Sequence, residues 1–470
     1  MTPALLFVLL YLVLQLGIGV WVSRRIRTET DYLIAGRNLG YTLATFSIFA
    51  TWFGAETVVG SAGSAYRSGV SLGSAEPFGY GLCLILMGLI FAVPLWRRRL
   101  TTLADLFRER YSVTTERVAA LILIPSSILW AAAQVRAFGQ IISTASSGWN
   151  VQFAIGLAAL FTIAYTMFGG LLVDAITDVV QGVIVILGLG ALFVFVVLKT
   201  GGVAEFAASL QSTQGIGLFP QTPMSRLEIA EEWAIPVLGS VVATELAGRI
   251  IATRTPGVAR SSSLYAGMLY LVVGLIPLLI GLSAAAHLQL ADAEQVVPVM
   301  ARELMPTIVY AAFVGAIISA ILSTVDSTLL TASGILSHNL IVPIARVSRE
   351  STRILLARLG VLAFGIVAYS LALTAEGVYA LVEQASAFGS SGALIVICFG
   401  LFTSFGRSSA ALCTLLTGTI AYLVFTMLGA NAPFLFSLAS SFACYVIIGA
   451  IESGVGRVSR VSRASFATRG

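Results

Sequence analysis

The sequence predicts an all-α polytopic membrane protein of about 13 transmembrane helices. Three observations carry that expectation. Of 470 residues, 58% are hydrophobic and only 10% charged, against roughly 25% charged in a soluble domain. So few charges cannot cover a water-exposed surface. The apolar residues gather into runs of the ~20 residues that cross a bilayer. The basic residues fall almost entirely on alternate loops. A soluble enzyme, a disordered chain, a coiled coil and a nucleic-acid binder are thereby excluded.

Taken in order, the first run covers 3–23. It has neither a basic start nor a small-residue cleavage site, and reads as a retained helix rather than a signal peptide. The others are 41–66, 73–96, 118–147, 151–170, 174–198, 232–253, 262–287, 308–342, 354–375, 377–404, 408–429 and 432–451. An odd number of spans puts the termini on opposite sides. Of the 27 basic residues, 22 lie on one side, among them Arg97, Arg98, Arg99, Arg249 and Arg254. Four lie on the other, and Arg136, deep within a span, is left. Basic residues are retained on the cytoplasmic side. The N-terminus is therefore expected outside, and the short basic tail 456–470 in the cytoplasm, in a plasma or inner membrane.

The two longest loops, 199–231 and 288–307, fall on the outer side, so residues 1–455 read as a single transmembrane transporter domain. No GxxxxGK[ST] occurs, and neither His287 nor His338 belongs to an HExxH. The four cysteines, Cys83, Cys398, Cys413 and Cys444, share no spacing and are expected in the core. ATP-driven pumping and enzyme chemistry fall away. What remains is transport driven by an ion gradient, a channel, or a sensor using a transporter fold, as a monomer or loose oligomer.

Polar residues inside spans are costly in lipid and become functional hypotheses. The second span carries Ala50-Thr51-Trp52-Phe53-Gly54-Ala55-Glu56-Thr57, a carboxylate, hydroxyls and glycine at mid-membrane. Such a helix is expected to break and present carbonyls to a cavity. In the ninth span Ser323, Asp326 and Ser327 recur at i, i+3 and i+4, on one helical face. Their oxygens suit a hard monovalent cation. The sixth span offers Asp174, expected to be a solvated helix-start carboxylate, and Asp178, one turn deeper and the better ligand. Trp52, Tyr80 and Trp130 come from three spans and would cage an organic cation if they converge.

At these segments the chain resembles the sodium/solute symporter family over its whole length. The resemblance rests on Asp31-Tyr32-Leu33-Ile34-Ala35-Gly36-Arg37, on Tyr165–Gly170 leading to Thr177-Asp178-Val179-Val180-Gln181, and on Ala320–Ser327. It implies a five-plus-five inverted repeat, here 41–198 and 232–404, with broken helices. It also implies a shared sodium site at Ala50, Phe53, Ala320, Ser323 and Thr324, and a second cation at Asp178, Ser323, Asp326 and Ser327. The motifs Ala50-Thr51-Trp52, Pro77-Phe78-Gly79-Tyr80 and Ser323–Ser327 look most like the choline transporter branch. That branch's aromatic cage matches at Trp52, Tyr80 and Trp130, while its fourth wall falls near Ala243. The solute-contacting set is then Trp52, Glu56, Thr57, Tyr80, Trp130, Gln134 and Glu245. Arg136 would pair with Glu56 or with a substrate carboxylate. The expected function is sodium-coupled import of a small polar solute, an amine or organic cation, or alternatively a zwitterion or carboxylate.

Overall fold

In a computed structural model the chain is described over residues 3–24, 26–146, 149–212, 216–220, 223–285, 288–290, 292–375 and 377–467. Among them are 11 helices long and apolar enough to cross a membrane, or up to 13 if each of two bent pairs is one span. In chain order the helices are α1 (Pro3–Ser23), α2 (Glu29–Ile34), α3 (Tyr41–Trp52), α4 (Glu56–Ser68), α5 (Phe78–Arg97), α6 (Ala104–Arg110) and α7 (Val113–Ala145). There follow α8 (Val151–Gly169), α9 (Leu171–Lys199), α10 (Val203–Ser212), α11 (Arg226–Val242), α12 (Thr244–Ile251) and α13 (Pro256–Ala284). The chain ends with α14 (Val296–Leu304), α15 (Thr307–Ala345), α16 (Glu350–Thr374), α17 (Val378–Phe402), α18 (Ser408–Met427) and α19 (Pro433–Ala467).

Three interruptions shape the interior. Between α3 and α4 the axis bends by 53°, where Phe53 leaves helical geometry at φ −91°, ψ 62°. Between α11 and α12 it bends by 43°, at Ala243, which is extended at φ −60°, ψ 136°. Within α17 Gly389 takes φ +70°, a left-handed conformation that glycine adopts without a Cβ penalty. At the centre stands α15. Every residue from Phe313 to Leu330 is buried, and the helix packs against α1, α3, α7, α8, α9, α12 and α16. A helix enclosed on all sides can present hydroxyls and carboxylates to an internal site without meeting lipid. Around the outside Leu10, Leu187, Val272 and Met427 stand exposed, as a bilayer requires.

The structure corrects several boundaries. The long loops 199–231 and 288–307 contain α10, the start of α11 and α14. A capping box of Ser225 and Glu228 starts the seventh span at Arg226 rather than 232. Ser112 caps α7 five residues before the expected start at 118. Backbone helix continues through most of the expected 456–470 tail. Its side chains, and residues 468–470, lie outside the described residues, as do His287 and the end of the expected 262–287 span. Cys413 is exposed rather than in the core.

Candidate functional site

The break after Trp52 is held by side chains. In an unbroken helix the Gly54 and Ala55 amides would donate to the Ala50 and Thr51 carbonyls. Instead Gly54 N donates to Glu56 Oε1 (3.2 Å) and Ala55 N to Gln134 Oε1 (2.9 Å). Gln134 Nε2 donates to Glu56 Oε2 (2.8 Å). Glu56 and Gln134 thus cap the second half of the helix and release the Ala50 and Thr51 carbonyls from it. Thr324 Oγ1, from α15, donates to the Thr51 carbonyl at 2.9 Å and to Ala320 O at 3.3 Å. Of the expected sodium ligands, Thr324 therefore lies at the break. Ser323 turns its hydroxyl to Asp178 Oδ1.

Above the break the three aromatics meet. Trp52 and Trp130 have ring centroids 5.5 Å apart, and Tyr80 and Trp130 6.0 Å apart. All three are buried, and the Trp52 indole N–H has no acceptor among the described residues. The Tyr80 hydroxyl is hydrogen-bonded to Ser386 at 3.0 Å, and Ser386 to Ser240 at 3.1 Å. Where a fourth aromatic wall is missing, a narrow cavity lies beside Ala243 and Trp130, lined by Ser240, Thr244, Ser386 and Ser390. Thr57 is turned away from it and hydrogen-bonded to Tyr270. Glu245 accepts from Ser127, one turn before Trp130 on α7, and so lies on the α7 N-terminal side of the cage. Arg136 pairs with neither Glu56 nor the cage. Its Nη1 donates to the Ala372 carbonyl at 3.0 Å.

The second constellation contains a residue that sequence reading misplaced. Asp178, Ser323, Asp326 and Ser327 do come together, but around Arg249, which is 1% exposed. Its Nη2 lies 2.5 Å from Asp174 Oδ2 and 3.7 Å from Asp178 Oδ2, and also donates to Ser327 Oγ. Arg249 Nε donates to Ser47 Oγ at 3.0 Å, and Ser47 donates to Asp178 Oδ2 at 2.6 Å. Arg249 is thus no loop charge, and Asp174 is no solvated carboxylate. Both are buried because each satisfies the other. The signal was available: Arg249 lies one turn after Glu245 in the same span. Arg249 pairs with two carboxylates, Asp174 and Asp178, and Asp174 Oδ1 and Asp326 Oδ2 have no donor among the described residues.

A last cluster ties the loops on the Arg-rich side. His338 stands 3.2 Å from Glu29 and 3.5 Å from Asp105. Arg353 pairs with Glu29 at 3.1 Å. Asn339 donates to Asp105 at 2.7 Å and to Glu116 at 2.8 Å. Burial alone would raise Glu29 and Asp105. The His338 imidazole beside both, with Arg353 at Glu29 and backbone amides at Asp105, outweighs it and holds both below the usual carboxylate range.

Comparison with known proteins agrees with this architecture. The model described as "Sodium:solute symporter family" matches residues 32–418. The high-affinity choline transporter 1 of Drosophila melanogaster is 26% identical over 399 residues, covering 81% of this chain and 63% of that protein. The chain thus spans less than two thirds of that relative's length. The human high affinity choline transporter 1 is 27% identical over 403 residues, covering 80% and 69%. The sodium/pantothenate symporter of Haemophilus influenzae is 26% identical over 452 residues, covering 90% of each. Among solved structures, a Na+-coupled sialic acid symporter in its outward-open state superposes with TM-score 0.83 at 18% identity, over 97% and 98% of the two chains. A nucleobase-cation-symport-1 family transporter in a closed conformation gives 0.62 at 16%, over 90% and 94%. These two show the fold.

Proposed function

We propose, for a chain that belongs to the sodium:solute symporter family, that it couples sodium movement to import of a small organic amine or cation by alternating access. The family is one of transporters, not enzymes. One observation carries the solute class: the rings of Trp52, Tyr80 and Trp130 meet, with Glu56 held by Gln134 one turn from Trp130, while Arg136 is directed elsewhere. Aromatic faces favour positive charge by about 0.5–2 kcal/mol each, and a nearby carboxylate favours it as well. The choline transporters among the relatives agree with a cationic solute.

Sodium would sit at the released Ala50 carbonyl with Phe53, Ala320, Ser323 and Thr324. A second cation would sit with Asp178, Ser323, Asp326 and Ser327, next to Arg249. Breaks fall in the first helix of each proposed five-helix repeat, 41–198 and 232–404, which supports rocking of one repeat against the other. The arginine bias supports a cell membrane location with the N-terminus outside.

A second reading, uptake of a zwitterion or carboxylate, is favoured by the pantothenate symporter that matches over 90% of each chain. Uptake of labelled amines, zwitterions and carboxylates into proteoliposomes under a sodium gradient separates the two. Amine uptake is expected to fall about tenfold or more in Trp52→Ala, the loss of one good cation–π contact, and to be unchanged in Arg136→Gln. In Thr324→Ala it should require much higher sodium. A solute that needs Arg136 and is indifferent to Trp52 overturns the cation reading. Flux without a sodium gradient overturns symport in favour of a channel.

A further inference from the structure

One cluster of carboxylates belongs to none of the sites above. Glu76, on the loop before α5, is 6% exposed. Both its carboxylate oxygens are buried without a donor among the described residues. It lines a small cavity with Glu232 of α11, Glu383 of α17 and the rings of Tyr80 and Tyr379. None of the ion pairs among the described residues includes these three carboxylates. The cavity leaves room for about one water-sized group.

Three carboxylates around one such space repel each other unless a cation separates them. The remaining wall is formed by Ile235 and Pro236. These side chains offer no ligand to a metal ion, which would want oxygens on every side. They do suit the alkyl carbon next to a primary ammonium, whose three N–H donors match several acceptors. Position matters as well. Tyr80 is shared: its ring lines this cavity and also lies 6.0 Å from Trp130 in the cage. Tyr379 lies against Gly60, one helical turn after Glu56. The cavity is therefore stacked on the cage, roughly one turn or about 5.4 Å further along α4.

Resting on the amine reading above, we propose that this cavity is a second ammonium subsite and that the preferred solute is a short diamine. One ammonium would lie among Trp52, Trp130 and Glu56, the other among Glu76, Glu232 and Glu383, with Tyr80 between them.

The test is calorimetric binding of 1,4-diaminobutane and n-butylamine to the purified full chain with sodium present. Each is titrated into wild type, Glu76→Gln, Glu383→Gln and Trp52→Ala, with melting temperatures as a check on folding. The diamine should bind wild type at least about tenfold tighter, the least a buried charge pair gives. Glu76→Gln and Glu383→Gln should each shrink that ratio while leaving n-butylamine affinity unchanged. Equal affinity for the two amines in wild type overturns the second subsite. So does a Glu76→Gln effect equal on both. If n-butylamine binds and depends on Trp52, only this inference has failed. If neither amine binds and a carboxylate does, the amine reading itself has failed and takes the subsite with it.

Discussion

Replacing Arg249 with methionine keeps the length and apolar stem of the side chain and removes its charge. Asp174, 2.5 Å from the guanidinium, and Asp178, at 3.7 Å, then remain buried without their counter-charge. Removing one partner of a buried ion pair costs about 3–5 kcal/mol. Unfolding entropy is about 2.1 cal/mol/K per residue, which over 470 residues is about 1 kcal/mol/K. The melting temperature should therefore fall by about 3–5 °C. Removing both charges is less harmful than removing one, so Arg249→Met combined with Asp174→Asn should recover at least half of the loss. A control sits in the same molecule. Arg353, 28% exposed in its pair with Glu29, should cost no more than about 1 kcal/mol when changed to methionine, because solvent screens it. Thermal unfolding in detergent at fixed sodium measures wild type, these three variants and Asp174→Asn alone. If Arg249→Met melts like wild type, or if the double variant loses the sum of the two single losses, Arg249 is not paired in the way described.

Two further predictions rest on other parts of the molecule. A Cβ on Gly54 would stand 2.6 Å from Glu56 Oε2 and 2.8 Å from Thr324 Oγ1. Gly54→Ala should thus displace both side chains and weaken sodium binding with little loss of melting temperature, as read by sodium titration of intrinsic tryptophan fluorescence; unchanged sodium affinity would refute it. Glu29 is held below its ordinary range, so its contribution to stability is full at neutral pH and disappears as pH falls through its lowered value. Glu29→Gln should be less stable than wild type near pH 7, with the difference closing in acid. Parallel melting curves across that range would remove the assignment.

Much of this was legible in the chain. Glycine and a carboxylate inside the second span marked the break, because neither serves a lipid-facing helix. The i, i+3, i+4 spacing of Ser323, Asp326 and Ser327 placed them on one face, and they do face one constellation. The convergence of Trp52, Tyr80 and Trp130 followed from the resemblance rather than from spacing. What stayed hidden has a common cause: pairing across helices. Arg249 was counted as a topology charge, since an arginine near a span end usually is one. Its burial rests on partners from other helices, chief among them Asp174, 75 residues away. Without Arg249 the counts on the two sides are 21 and 4. Glu76, inside the expected span 73–96, went unassigned, because nothing local tells that Glu232 and Glu383 fold over it.

The amide of Gln134 has a consequence for how such chains vary. Its oxygen accepts from Ala55 while its nitrogen donates to Glu56. Only a carboxamide offers an acceptor and a donor at that spacing. A glutamate at 134 would set two carboxylates against each other, and a methionine would strand the Ala55 amide. Positions 56 and 134, on different helices, are thus spelled as a single digraph. A lineage that loses the acid at 56 is free to rewrite 134, and one that keeps it is not. Drift at either position should arrive in pairs, while neighbouring Val58 and Ala133 change independently.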